Sequence, residues 1–161
     1  MKFSSLLKTT LVTSALLASS FSFAENIEVN GNANDLALKG YDTVSYFTQG
    51  APKMGSEQYT AAYNGAIYHF ASADNRDLFK ATPSKYAPQY GGFCAMGVAM
   101  NQKFDVDPTA WHIRNDKLYL NLNKDVQKKW LTDVPGYLET AQVNWTGIKG
   151  LTEDQIKKIN Q

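Results

Sequence analysis

The sequence predicts an α+β fold, a small single domain of two hairpin–helix units whose antiparallel β-hairpins are packed by short helices. Three observations carry the prediction. Asn64-Gly65 sits between two runs rich in Tyr, Ile and Phe, and a serine-capped helical pattern follows. The same arrangement returns 51 residues later around Asn115-Asp116, with Asn123 as the cap. A lone cysteine allows no internal disulfide, so the hydrophobic core alone must hold the chain together.

Taken in order, the chain opens MKFSSLLKTTLVTSALLASSFSFAEN. Two lysines precede a short apolar run, and Ser22-Phe23-Ala24 supplies small residues at the −3 and −1 positions, the pattern of a cleaved secretory leader over residues 1–24. The apolar run falls short of the roughly 20 residues that span a bilayer. A periplasmic location is therefore expected, with no membrane span after cleavage. Residues 25–37 are rich in Asn, Gly and Ala and read as irregular. A domain is expected over 38–146.

Asp42 before TVSYFTQ, with Gly50 behind it, favours a short helix capped by Asp42, against the strand tendency of the β-branched and aromatic residues. Asn64-Gly65 tolerates the positive φ angles of a two-residue hairpin turn, so residues 58–63 and 66–70 are expected to pair. Ser72 caps a helix over 73–81, with Leu78 and Phe79 facing the core and Pro83 ending it. In the second unit residues 117–122 form the returning strand, Val126 and Trp130 share a helical face, and Pro135 closes the unit. At the offset of 51, Tyr68 matches Tyr119, Asp74 matches Asp125 and Phe79 matches Trp130. A duplication or two generic hairpin–helix units would each give this pattern. Residues 136–145 read as another helix. In the tail, Thr152 and Gln155 form a capping box and Leu151 with Ile156 a hydrophobic staple. The stripe of Ile156 and Ile159 is thin, so 147–161 is expected to be a peripheral helix whose removal leaves the domain folded.

Charge narrows the function. Without Lys2 and Lys8, fourteen basic residues face fifteen acidic ones. No basic cluster stands out, which argues against nucleic acid as a partner. A metal ion or a periplasmic protein remains as the expected partner.

The chemistry centres on YGGFCAMGVAM, residues 90–100, which holds the only cysteine and two of the four methionines. Thiolate and thioether ligands select soft ions such as Cu(I), and imidazole also suits copper. Cys94, Met96, Met100 and His69 are thus the candidate ligands, and a copper ion the candidate cofactor. The local structure decides the matter. On a strand Cys94, Met96 and Met100 would share one face. On a helix Met96 and Met100 share a face but Cys94 does not. Two other readings stand beside this one: Cys94 as buried packing in an interaction module, or Cys94 as a nucleophile served by His69 or His112. No Cys-x-x-Cys pair is present, so dithiol exchange is excluded.

The runs KGYDTVSYFTQG, YNGAIYHFASADNRDLFKATPSKYAPQYGGFCAMGV and KFDVDPTAWHIRNDKLYLNLNKDVQKKWLTDVPGYLETAQVNW resemble the exported YHS-domain proteins of Gram-negative bacteria. The resemblance covers roughly Leu38 to Trp145. It implies a link to metal through the wider YHS/TRASH group, whose short domains carry a Cys-Pro-Met type motif before the hairpin and further cysteines after it. Here Gly40-Tyr41-Asp42 and Ala71-Ser72 stand in those places, so that ligand set does not transfer. Tyr-Gly-Gly-Phe-Cys at 90–94 does match the exported branch, and Cys94 is the residue it carries across. Tyr68-His69-Phe70 echoes the name-giving motif in part. The resemblance leans toward a binding or accessory protein rather than an enzyme.

Overall fold

The computed structural model describes residues 28–161, and the expected leader lies outside the described residues. The fold is α+β. A tight left-handed turn at Leu38–Gly40 leads into helix α1 (Ser45–Thr48). Strands β1 (Ser56–Tyr63) and β2 (Ala66–Phe70) form the first antiparallel hairpin, followed by α2 (Ala73–Ala81) and α3 (Pro83–Tyr86). A second left-handed turn at Gln89–Gly92 leads into α4 (Ala95–Ala99). Strands β3 (Asp107–Arg114) and β4 (Lys117–Asn121) then pair, and α5 (Lys124–Trp130), α6 (Val134–Ile148) and α7 (Glu153–Ile159) complete the chain. The two hairpins remain separate two-stranded sheets. Among the described residues no helix is long and apolar enough to cross a membrane.

The repeat suggested by the sequence is a repeat of structure. In the first hairpin the register runs Tyr63↔Ala66 to Thr60↔His69, slips, and resumes at Ser56↔Phe70. In the second it runs Arg114↔Lys117 to Trp111↔Leu120, slips, and resumes at Asp107↔Asn121. Every pair, including both sides of the bulge, is displaced by the same 51 residues. The lead-in segments correspond as well, at an offset of 52. Leu38, Lys39 and Gly40 have φ of 47°, 54° and 82°, and Tyr90, Gly91 and Gly92 have 54°, 61° and 82°. In both turns the next residue's N–H, that of Tyr41 or Phe93, donates to the first residue's carbonyl at 3.0 Å. The N–H of Asp42 donates to the Lys53 carbonyl, and that of Cys94 to the Phe104 carbonyl. Left-handed backbone is costly for residues with a Cβ, and Leu38, Lys39 and Tyr90 adopt it here, so the two turns are not generic loops.

Caps explain where the helices begin. The Ser72 hydroxyl accepts from the Asn75 N–H and the Asn123 Oδ1 from the Val126 N–H, each satisfying an otherwise orphaned donor. Pro83 and Pro135 both sit in the first turn of a helix, where the missing N–H costs nothing. Pro135 therefore opens α6 rather than merely closing the unit before it. Asp42 does not directly precede its helix as expected. Its carboxylate closes a turn on the N–H groups of Val44 and Ser45, and α1 begins at Ser45. Leu78 points outward, because only Phe79 on that face of α2 reaches the Tyr68–Phe70 side of the hairpin.

Two apolar clusters fill the molecule. The smaller joins β2 and α2 through Tyr68, Phe70 and Phe79 with Val44 and Tyr86. The larger holds Cys94, Met96, Val98, Leu118, Leu120 and Trp130. It also holds Ile148 and Ile156, which corrects the expectation for the tail. Helix α6 runs through the expected boundary at 146, and Ile156 on α7 is 0% exposed while Ile159 is 66% exposed. One well-placed isoleucine suffices because the rest of the tail is pinned by polar contacts. Asn101 and Asn160 bond each other twice, and the Lys103 ammonium donates to the carbonyls of Lys149 and Leu151.

Candidate functional site

Residues 95–99 are helical, so the strand arrangement that would gather three sulfurs does not form. Cys94 is the N-cap of α4 and is 1% exposed. Its Sγ accepts from the Gly97 N–H at 3.3 Å and from the Leu122 N–H at 3.2 Å. Its thiol donates to Asn121 Oδ1 at 3.9 Å, a long contact. Burial pushes the Cys94 thiol up from its ordinary range, and the surrounding N–H groups of Gly97, Leu122 and Met96 draw it back in part. The sulfur thus ties the start of α4 to the junction between β4 and α5.

Asp42 does the same in the first half. Its Oδ1 accepts from Val44 and Ser45 at the start of α1. Its Oδ2 accepts from the Ala71 N–H at 2.9 Å and from Asn75 Nδ2 at 2.6 Å. Ala71 and Leu122 are repeat partners, each just past the returning strand. A thiol and a carboxylate therefore occupy one structural position, turned toward equivalent backbone donors.

The remaining candidate ligands are dispersed. Met96 is buried in the larger core, whereas Met100 is the C-cap of α4 and is 60% exposed. His69 lies on β2 opposite Thr60, half-buried, on the face away from Tyr68 and Phe70. His112 lies on β3 opposite Tyr119, its pKa lowered by burial and then by the Arg114 charge. Neither imidazole is a hydrogen-bond partner of Cys94 Sγ. Among the described residues no group of three or more His, Cys, Asp or Glu side chains could hold a metal ion. The groups aimed at its sulfur are the N–H dipoles of Gly97 and Leu122.

One thioether and one imidazole border the same small space. A Cβ on Gly40 would lie 3.6 Å from His69 Nδ1 and 3.8 Å from Met54 Sδ, so both atoms border the space left by that glycine. Met54 is exposed and its backbone bridges Tyr41. The sequence offered a signal for this pair only through the repeat, in which Met54 and His69 correspond to Asp105 and Leu120.

Two recesses flank the segment 28–32. One, of about 210 Å³, is lined by Asn30, Asp35, Phe93, Lys103 and Glu153 among others. The other, of about 360 Å³, lies against Tyr63, Tyr68, Pro88 and Trp145. Burial lowers the Lys103 ammonium to about 8, with Glu28 and Glu153 acting in the opposite sense. Its Nζ sits 4.9 Å from the centre of the Phe93 ring and 5.4 Å from that of Trp145, within cation–π range. These contacts hold the tail across the first recess. Comparison with protein-family models, with curated proteins and with solved structures found no match for this chain.

Proposed function

We propose that this chain is an exported accessory module of the YHS class that works by binding rather than by catalysis, with Cys94 as a structural thiol. One observation carries the reading: Cys94 occupies the place in the turn that Asp42 fills in the first half, enclosed by backbone donors and without a histidine at hydrogen-bonding distance. A nucleophilic cysteine needs a base or a lowered pKa, and burial pushes this one up. The recesses beside residues 28–32 supply polar and aromatic walls on which a partner segment or small ligand can seat.

Metal handling, the property the YHS resemblance implies, is better served by His69 with Met54 than by the Cys94 cluster. A thioether and an imidazole together suit Cu(I), and both border the space above Gly40. Titration of Cu(I) into metal-free protein, Cys94→Ala and His69→Ala separates these readings. Any binding should survive Cys94→Ala and be lost in His69→Ala. Tight stoichiometric binding that disappears in Cys94→Ala overturns the structural role of the thiol. Native thiol labelling adds a second readout, in which Cys94 of metal-free protein should react only on unfolding.

A further inference from the structure

The recess of about 360 Å³ holds one polar group that packing does not account for. Tyr68 is 3% exposed and its ring lies on that of Phe79, 4.7 Å between centroids, yet it forms part of the recess wall. Burial pushes its hydroxyl up from the ordinary range, so it stays a neutral phenol, and no hydrogen bond within the described residues engages it. Buried tyrosine hydroxyls normally find a partner, so an unengaged one on a cavity wall points to something the cavity takes up.

The other walls define the kind of ligand. Tyr63, Trp145 and Pro88 supply aromatic and apolar surface, and the one charged side chain on the wall is the Glu28 carboxylate. No lysine, arginine or histidine lines this recess among the described residues. Aromatic faces and a carboxylate attract cations and disfavour anions. The Trp145 ring already draws one ammonium, that of Lys103 on the wall of the neighbouring recess, at 5.4 Å from its centre. The feature belongs to the first half alone, because at the offset of 51 Tyr68 corresponds to Tyr119 but Tyr63 to Arg114, a cation. We infer that the recess binds a small organic ammonium ion, its alkyl body against Tyr63 and Trp145 and its nitrogen toward Glu28 and the Tyr68 hydroxyl. The ammonium N–H groups donate to the phenol oxygen and to the carboxylate. This inference rests on the binding-module reading and names its ligand class.

The test titrates the protein with n-butylammonium, and with n-butanol and butyrate as neutral and anionic counterparts, by calorimetry and by the shift of the Trp145 indole resonance. Butylammonium should bind and move that resonance, and the counterparts should do neither at the same concentration. Tyr68→Phe removes only a hydroxyl and Glu28→Gln only a charge at an exposed position, so both should melt as the native chain does. Each should weaken butylammonium binding about tenfold. Absence of binding at millimolar butylammonium overturns the inference, as does binding that both variants retain in full. Butanol or butyrate bound as tightly as butylammonium overturns it as well. The binding-module reading stands or falls separately, on whether Cys94 reacts in the native protein, so the two failures are distinguishable.

Discussion

Asp42 and Cys94 show how one backbone position can be served by different chemistry. Asp42 is fully buried, yet every contact described for its carboxylate is with a hydrogen-bond donor. Removing its carboxylate leaves several buried N–H groups without partners, each costing about 1–3 kcal/mol. Asp42→Ala should therefore destabilise by more than about 3 kcal/mol in urea unfolding, and Cys94→Ala by about 1–3 kcal/mol, because its sulfur meets fewer and longer bonds. Equal losses would show that the two positions are not equivalent in energy. The sequence made Cys94 conspicuous but could not disclose this role. Its neighbours Asn121 and Leu122 lie 27 and 28 residues away, beyond the reach of local spacing. That Asp42 bonds to nearby N–H groups is legible locally, although it closes a turn before α1 rather than capping the helix, and its long-range contact to Ala71 is not legible.

Among the elements, the hairpins and their following helices were the most legible. Asn64-Gly65, Ser72 and Asn123 act locally, through φ and through side-chain bonds to N–H groups three residues on. A count of apolar residues on α7 understates how the tail is held, because it ignores what meets them. The Ile156 side chain is enclosed by the larger core, and the Lys103 amine grips the carbonyls just ahead of α7. Ile156→Ala should cost about 2–5 kcal/mol, and deletion of 150–161 should lower the melting temperature by several degrees or more. The clasp also has a pH signature. Lys103 loses its proton near pH 8 in the folded protein, whereas an unfolded lysine keeps it to about 10.4. Between these values the unfolded chain binds the additional proton, so this residue makes stability rise with pH. The neutral amine still offers two N–H groups to its two carbonyls. Urea unfolding at pH 7.5 and 9.5 should show that increment in the native sequence and lose it in Lys103→Met.

For the whole molecule, neither hairpin is an independent unit, since a two-stranded sheet is marginal by itself. The halves are joined by the Tyr46 hydroxyl, which donates to the Pro108 carbonyl, and by Lys39, which reaches Asp105 and the Val106 carbonyl. Much of the core is aromatic, and burial raises the pKa of Tyr46, Tyr68, Tyr90 and Tyr119, that of Tyr90 to about 12. Unfolded tyrosines ionise near pH 10, so the chain gains by unfolding as pH climbs past that value, while below it the contribution to stability is complete. Melting temperatures should hold to about pH 10, apart from the lysine increment, and fall steeply above it, together with a cooperative rise in tyrosinate absorbance. Tyrosinate that appears gradually with no loss of fold would contradict the burial of these rings. The duplicated frame has one more consequence. Because each half is laid over the same backbone, the molecule contains two answers to one set of structural demands. Where the answers agree, as at Gly40 and Gly92, Tyr68 and Tyr119, or Asp74 and Asp125, the demand belongs to the architecture. Where they part, as at Asp42 and Cys94, Met54 and Asp105, or His69 and Leu120, the demand is local to one half, and grafting a residue from one half into the other asks what that demand is.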